Sequence, residues 1–217
     1  MKKNNITPFL WLAGLVIVAA ALIYVGNQNK SSVSHGAPSP SAATLTDPHG
    51  HSTAANVSSA ELNNLVGKSV PEFSSADRDG NVYSSENLRG KNVVLFFNEG
   101  LMCYPACWNQ IVALSDDDRF GNANTVALSI VIDSKEDWQS AIKKMPELDR
   151  ATVVFDVGAS ISRKFNVLAT PSSMHPGAFP GHTFVLIDKD GVVRYVLDDP
   201  NMGIRNDQLM AEISKLN

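Results

Sequence analysis

The sequence predicts an α/β protein whose mixed central sheet is flanked by helices, and three kinds of pattern support this fold class. The apolar run 93–97 is continuous, as expected for a strand that is covered on both faces, and 125–132 and 183–187 are further strand-length segments rich in apolar residues. Helical patterns follow the first two runs, so that strands and helices alternate along the chain. The tetrapeptides Asp77–Gly80 and Asp188–Gly191 have the composition of hairpin turns, which predicts antiparallel pairs as well.

The first half of the predicted domain contains two strands, each followed by a helix. Val93–Phe97 is the first buried strand and Thr125–Ile132 is the second. The inner face of the helix between them is apolar, with Trp108, Ile111, Val112 and Leu114. Ser134 can accept a hydrogen bond from a free backbone N–H group, and it therefore predicts the start of a helix that ends near Met145.

The second half of the predicted domain contains a third strand, a hairpin and two more helices. Thr152–Phe155 is the third strand, and Ile161–Phe165 is a short helix. Thr183–Ile187 and Val192–Leu197 form a hairpin, and Asp207–Leu216 is a closing amphipathic helix. The predicted order is β-α-β-α-β-α-β-β-α, without an internal repeat.

Residues 7–26 are predicted to be a single-pass transmembrane signal anchor. They contain an uncharged apolar run of about 18 residues, near the lower limit for a helix that spans the hydrocarbon core. Lys2 and Lys3 precede this run and Lys30 follows it, so the positive-inside rule places residues 1–6 in the cytoplasm and the remaining chain outside. The alternative is a cleaved signal peptide, whose apolar region is usually shorter, about 7–15 residues.

The composition behind this run predicts a flexible linker at 27–64 and one domain at 65–217. The linker is rich in small and polar residues, so that it buries little apolar surface, and its three histidines, His35, His49 and His51, are interpreted as solvated. The formal net charge of −4 argues against a nucleic-acid partner. Two cysteines are too few for a four-thiolate zinc site, but they suffice for one redox pair.

Cys103 and Cys107 are the residues that indicate chemistry. Cys103 comes after the first buried strand and just before a helix, and Pro105 suits a first helical turn because it lacks an N–H group. The positive end of the helix dipole would stabilise a thiolate at Cys103. Residues four apart on a helix have Cα atoms about 6 Å apart, which a disulfide tolerates. The pair is therefore predicted to be a reversible dithiol–disulfide couple.

Three segments resemble a known family: Gly67–Phe73, Leu88–Phe97 and Thr183–Gly191. Together they make the domain similar to the thioredoxin-like redoxins that include the peroxiredoxins, the AhpC/TSA family. The resemblance implies a thioredoxin-like fold and a thiol-dependent oxidoreductase that reduces a peroxide or a disulfide through Cys103 and Cys107. It also implies an external thiol or dithiol reductant and no bound cofactor, and the chain has no G-x-G-x-x-G segment after a strand.

The cysteine motif differs from the peroxiredoxin pattern P-x-x-x-T/S-x-x-C. Gly100 stands three residues before Cys103 where that pattern has Thr or Ser, and Phe96 stands seven residues before it where the pattern has Pro. The C-x-x-x-C spacing is similar to that of the Sco-type copper chaperones in the same superfamily. This similarity implies the alternative function of a copper-binding assembly factor, with Cys103, Cys107 and His182 as the ligands.

His182 is predicted to lie within contact distance of the Cys103 sulfur. It directly precedes the strand 183–187, which would begin at the edge of the sheet where 93–97 ends if the two strands are antiparallel. An imidazole at that position would stabilise a thiolate, transfer a proton or bind copper.

Two further residues are weaker candidates for the site. Glu99, four residues before Cys103, is a candidate proton acceptor, although it also fits a solvated loop carboxylate. His175 lies in a loop rich in Pro and Gly and has a still weaker claim. The predicted site therefore consists of Cys103, Cys107, His182 and Glu99.

Overall fold

The structure, a computed structural model, describes residues 60–122 and 124–216. The predicted anchor at 7–26 and the predicted linker up to residue 59 lie outside these residues. Within the described part of the chain, no helix combines the length and the apolar character needed to span a membrane.

The described residues form seven strands, four α-helices and a short helical stretch at 60–63. The strands are β1 Ser74–Ala76, β2 Val82–Ser84, β3 Asn92–Phe97, β4 Thr125–Val131, β5 Val153–Phe155, β6 Thr183–Ile187 and β7 Val193–Asp198. The α-helices are α1 Ala106–Asp116, α2 Lys135–Lys144, α3 Ser160–Lys164 and α4 Asn206–Ile213. Three 3-10 helices complete the described part, at Gly100–Met102, Pro146–Arg150 and Ser214–Leu216.

Five of the strands make one mixed sheet in the order β5-β4-β3-β6-β7. The pairs β3–β4 and β4–β5 are parallel, whereas β3–β6 and β6–β7 are antiparallel. Phe97 at the end of β3 pairs with Thr183 at the start of β6. The end of β3, the start of β6 and the end of β7 therefore meet at one edge of the sheet.

The central strand β3 is buried along its whole length because both faces of the sheet are covered. Val94 and Phe96 pack on one face in a cluster with residues of three helices, Trp108 of α1, Trp138 of α2 and Leu209 of α4. The alternate residues pack on the other face with Phe73 and Phe165; they are Val93, Leu95 and Phe97. Burying a large apolar side chain contributes about 1.5–3 kcal/mol each, so these two layers stabilise the sheet that carries the site.

The predicted α/β class, the mixed sheet and the order of its elements are confirmed. The predicted N-cap Ser134 accepts a hydrogen bond from the Asp137 N–H. One boundary differs at the site: Pro105 precedes the helix α1 instead of lying within its first turn. A 3-10 helix that the sequence analysis did not predict lies between β3 and Cys103.

Candidate active site

Cys103 and Cys107 form a disulfide at the edge of the sheet where β3 ends. Their Cα atoms are 5.4 Å apart, and the two residues are only 2% and 1% exposed. Cys107 lies in the first turn of α1, whereas Cys103 follows the 3-10 helix and is not itself helical. Cys107 N–H donates to the Cys103 carbonyl at 3.0 Å, so that the backbone turns tightly between the two sulfurs.

The turn before Cys103 depends on Gly100, which has a φ of +57°. A Cβ atom at this position would lie 1.7 Å from Oδ2 of Asp133, and the same Oδ2 accepts a hydrogen bond from the Leu101 N–H at 3.1 Å. The Gly100 carbonyl accepts a hydrogen bond from the Trp108 indole at 2.9 Å, which ties the turn to α1. Burial raises the pKa of the Asp133 carboxyl above its usual range. Only glycine combines the left-handed backbone with this close approach.

His182 lies next to the disulfide, at the position immediately before β6. Its Nδ1 is 3.5 Å from Cys107 Sγ, and the ligand atoms of Cys103, Cys107 and His182 all lie within 4.8 Å of one another. The sequence predicts contact with Cys103; in the structure the hydrogen-bonding distance is to Cys107, and the Cys103 sulfur lies within 4.8 Å of the imidazole.

The hydrogen bonds of His182 define its tautomer. Its Nε2 is 3.3 Å from the Gly203 carbonyl oxygen, which can only accept, so Nε2 carries the proton. Nδ1 therefore presents a lone pair to the Cys107 sulfur. Burial lowers the pKa of His182 from 6.5 to about 4, so that the imidazole is neutral at neutral pH. The ring makes edge contacts with two aromatic side chains, Phe96 and Phe184, which stack on each other.

The lowered pKa of His182 predicts that part of the stability is lost in acid. The unfolded chain takes up a proton near pH 6.5, whereas the folded chain does so near pH 4, so unfolding binds a proton in this window. The unfolding free energy should therefore fall by about 3 kcal/mol as the pH falls from 7 to 4 because of this residue alone. Urea unfolding as a function of pH measures this loss of stability in the oxidised wild-type protein. The His182→Gln variant is the reference, because glutamine does not take up a proton in this pH range. Parallel pH profiles of the two proteins would contradict the assignment.

Glu99 is buried, and its carboxylate binds the loop that contains His175. Oε1 accepts hydrogen bonds from the N–H groups of Met174 and His175 at 2.6 and 3.0 Å and from the Ser173 hydroxyl at 3.1 Å. Oε2 lies 2.9 Å from His175 Nδ1. The structure brings these two candidates together but gives the Glu99 carboxylate contacts with this loop rather than with a sulfur. Its geometry is that of a loop anchor.

A model of the AhpC/TSA family matches residues 66–196 of the chain, which include both cysteines and His182. The chain belongs to the AhpC/TSA family. It is thus a thiol-dependent peroxidase of the peroxiredoxin class, and its cysteine pair is the redox couple.

Two curated relatives and two solved structures illustrate how far this AhpC/TSA protein resembles known proteins. The chloroplastic peroxiredoxin Q of Triticum aestivum is 28% identical over 177 aligned positions, which cover 78% of this chain and 75% of the relative. That of Sedum lineare is 30% identical over 141 positions, covering 61% of this chain and 68% of the relative. The reduced 2-Cys peroxiredoxin of Plasmodium vivax superimposes with a TM-score of 0.57 at 28% identity, covering 69% of this chain and 80% of that one.

The second structure is an exposed lipoprotein thioredoxin of Streptococcus pneumoniae. It superimposes with a TM-score of 0.53 at 18% identity, covering 67% of this chain and 100% of the other. At this identity the similarity concerns the fold alone. The superposition agrees with the predicted thioredoxin-like fold of the AhpC/TSA protein.

The loop after β7 completes the site, and its role was not predicted from the sequence. Met202 Sδ lies 4.0 Å from Cys103 Sγ, and the Gly203 carbonyl binds His182. The predicted hairpin carried the signal for this loop: because its strands are antiparallel, the residues after the second strand return to the edge where His182 lies. No motif in the sequence around Met202 indicates that this residue contacts Cys103.

Proposed function

We propose that this AhpC/TSA protein is a membrane-anchored, extracytoplasmic peroxidase in which Cys103 attacks the peroxide and Cys107 resolves the product. The main support is the buried disulfide between these residues, with the Nδ1 lone pair of His182 at 3.5 Å from Cys107 Sγ. The positive end of the α1 dipole favours a thiolate at Cys103, which lies just before the helix. The neutral imidazole serves as the proton acceptor for Cys107.

In the first step, the Cys103 thiolate attacks one oxygen of the peroxide. A sulfur–oxygen bond forms, the O–O bond breaks, and the leaving oxygen takes a proton and departs as water or an alcohol. Cys103 is oxidised to a sulfenic acid and the peroxide is reduced by two electrons. The chain itself supplies both electrons, so no bound cofactor takes part.

In the second step, Cys107 displaces the hydroxyl group from the Cys103 sulfur. Nδ1 of His182 takes the Cys107 thiol proton as the sulfur–sulfur bond forms. The S–O bond breaks, and the leaving hydroxide recovers that proton and departs as water. The ligand atoms of Cys103, Cys107 and His182 lie within 4.8 Å of one another, so the proton passes only between neighbouring groups of the site. An external thiol or dithiol then reduces the disulfide by exchange.

Steady-state peroxide consumption tests this function. The full chain in detergent, supplied with a dithiol, should consume hydrogen peroxide or an organic hydroperoxide in proportion to enzyme. The same protein is tested with a small disulfide substrate in place of the peroxide. If the protein reduces the disulfide but does not consume peroxide, the proposed peroxidase function is wrong and the protein is a thiol–disulfide oxidoreductase.

Copper binding is the second candidate function, because the two sulfurs and the imidazole lie within 4.8 Å of one another. After reduction of the disulfide, two thiolates and a neutral imidazole would make a donor set that suits Cu(I). Titration of the reduced protein with Cu(I) against a chromogenic competitor tests it. One bound ion that is lost in both Cys103→Ser and His182→Gln would favour an assembly factor, and binding no stronger than that of these variants would reject it.

The proposed membrane orientation follows from the charges beside residues 7–26. Since Lys2 and Lys3 outnumber Lys30, we expect a cytoplasmic N-terminus and an external domain. Protease added to intact spheroplasts should release a fragment that begins in the linker 27–64. A cytoplasmic marker protein should stay intact in the same sample. Full protection of the domain until the membrane is lysed would reverse the orientation.

A further inference from the structure

We propose that the segment 199–205, called the Asp199–Arg205 loop below, sets the tautomer of His182, with Asp199 as the positioning residue. The inference builds on the proposed role of His182 as the proton acceptor for Cys107. It adds a device that keeps Nδ1 free of a proton, so that the resolving cysteine always faces a base.

The contact between the loop and the imidazole is the hydrogen bond from His182 Nε2 to the Gly203 carbonyl, at 3.3 Å. A neutral imidazole has one proton, and a carbonyl oxygen can only accept, so this bond holds the proton on Nε2. If the carbonyl turned away, the proton could move to Nδ1. An Nδ1–H group would point at the Cys107 sulfur and could not accept the thiol proton.

The carboxylate of Asp199 holds the chain on both sides of the Gly203 carbonyl, through the Gly203 N–H before it and the Arg205 side chain after it. It accepts hydrogen bonds from the Gly203 N–H at 2.9 Å and from the Asn201 N–H at 3.1 Å. Arg205 closes the loop with two further bonds to the same carboxylate, from Nε at 2.6 Å and from Nη2 at 2.7 Å. Asp199 is only 3% exposed, and a two-pronged ion pair of this kind fixes both distance and orientation.

Both ends of the loop are attached to the elements that carry the site. The Asp199 N–H donates to the His182 carbonyl at 2.9 Å. At the other end, the Arg205 N–H donates to Oε1 of Gln110 at 2.7 Å. Gln110 is fully buried and lies on α1, three residues after Cys107. The loop therefore links the histidine to the cysteine helix through bonds on both sides.

Met202 gives an independent sign that the loop geometry serves the site. Its φ is +49°, a left-handed conformation that costs energy for a residue with a side chain. In this conformation its Sδ lies 4.0 Å from Cys103 Sγ. The same loop thus contacts both partners of the redox couple, Cys103 through Met202 and Cys107 through His182.

The opposite end of the β6–β7 hairpin supplies a matched control. Asp188 accepts hydrogen bonds from the N–H groups of Asp190 and Val192, both at 2.9 Å, and forms an ion pair with Arg194. Asp188→Asn thus removes the same kinds of contact as Asp199→Asn, but the residue lies at the end of β6 that faces away from the disulfide. A purely structural effect would be similar in the two variants.

The tautomer can be measured by nitrogen NMR of the oxidised full-length protein with labelled histidine, since protonated and unprotonated ring nitrogens have very different shifts. We expect His182 to carry its proton on Nε2 in the wild type and in Asp188→Asn, and to show a mixture of tautomers in Asp199→Asn. Conversion of the Cys103 sulfenic acid to the disulfide should slow by about tenfold or more in Asp199→Asn. The rate at which the sulfenic acid forms should be unchanged in Asp199→Asn, whereas a general loss of structure would slow this step as well.

Two results would overturn the inference. One is a proton on His182 Nδ1 in the wild-type protein, and this measurement does not depend on whether any variant folds. The other is a single Nε2–H tautomer together with an unchanged rate of disulfide closure in Asp199→Asn. If the Asp199→Asn protein does not fold, the same measurements are made on Arg205→Lys, which keeps the charge but loses the two-pronged ion pair. If instead the wild type forms no sulfenic acid, the proposed peroxidase fails, whereas the tautomer measurement still decides the role of the loop.

Discussion

Cys103→Ser should lose all peroxide consumption above the background of the added thiol, whereas Cys107→Ser should still complete one turnover. The serine hydroxyl at position 103 is not a thiolate and cannot take up the peroxide oxygen. In Cys107→Ser the first step is intact, so that a sulfenic acid should accumulate on Cys103. A single-turnover experiment with a sulfenic-acid trapping reagent measures both results on the full-length protein.

The double variant Cys103→Ser/Cys107→Ser is the control for peroxide loss that needs no cysteine. Because removal of the disulfide changes stability as well, each variant is first compared with the reduced wild type by circular dichroism. Trapped sulfenic acid on Cys107 in Cys103→Ser, at the wild-type rate, would exchange the roles of the two cysteines. That outcome would also place His182 beside the attacking sulfur, since Nδ1 lies 3.5 Å from Cys107 Sγ.

His182→Gln should slow closure of the disulfide by about a hundredfold, the usual contribution of a well-placed general base. The glutamine amide can still donate to the Gly203 carbonyl, as Nε2 does, but it has no basic nitrogen near Cys107. Reaction of Cys103 with peroxide should change much less, because the hydrogen-bonding distance of His182 is to the other sulfur. Stopped-flow measurement of the intrinsic tryptophan fluorescence separates the two steps, since Trp108 follows Cys107 directly.

His175→Gln is the matched control for this variant. His175 lies next to Glu99 rather than next to a sulfur, so its replacement should leave the rate of disulfide closure within about twofold of the wild type. Equal slowing in both variants would indicate a structural effect of losing an imidazole. An unchanged rate in His182→Gln would leave His182 only a packing role against Phe96 and Phe184.

The sheet could be predicted from the sequence because its central strands are strand-length segments rich in apolar residues, and turn signals mark the hairpin. Thr183–Ile187 has the predicted bounds, and its antiparallel pairing with β3 places His182 at the predicted edge. The 3-10 helix Gly100–Met102 could not be predicted in this way. It depends on hydrogen bonds with residues distant in sequence, from the Leu101 N–H to Asp133 after β4 and from Trp108 on α1 to the Gly100 carbonyl.

The site was predicted less completely than the fold, for physical reasons. The C-x-x-x-C spacing predicted a Cα separation near the observed 5.4 Å, but it could not reveal that a 3-10 helix ends at Met102 and that α1 begins only at Ala106. Nor could it reveal that Cys107 carries the sulfur at 3.5 Å from His182. The contacts of Asp199 and Met202 with the site join residues that are far apart in sequence, and such contacts leave no local periodicity.

In the proposed reaction, peroxide oxidises Cys103 and Cys107 then closes the disulfide. Intact-mass spectrometry of the reduced full-length protein after one equivalent of hydrogen peroxide measures the products of both steps. We expect the wild type to lose two hydrogen atoms, with the bond mapped to Cys103–Cys107, and Cys107→Ser to gain one oxygen atom on Cys103. A reduced protein that keeps its mass while the peroxide persists, in the wild type as in Cys103→Ser, would contradict it.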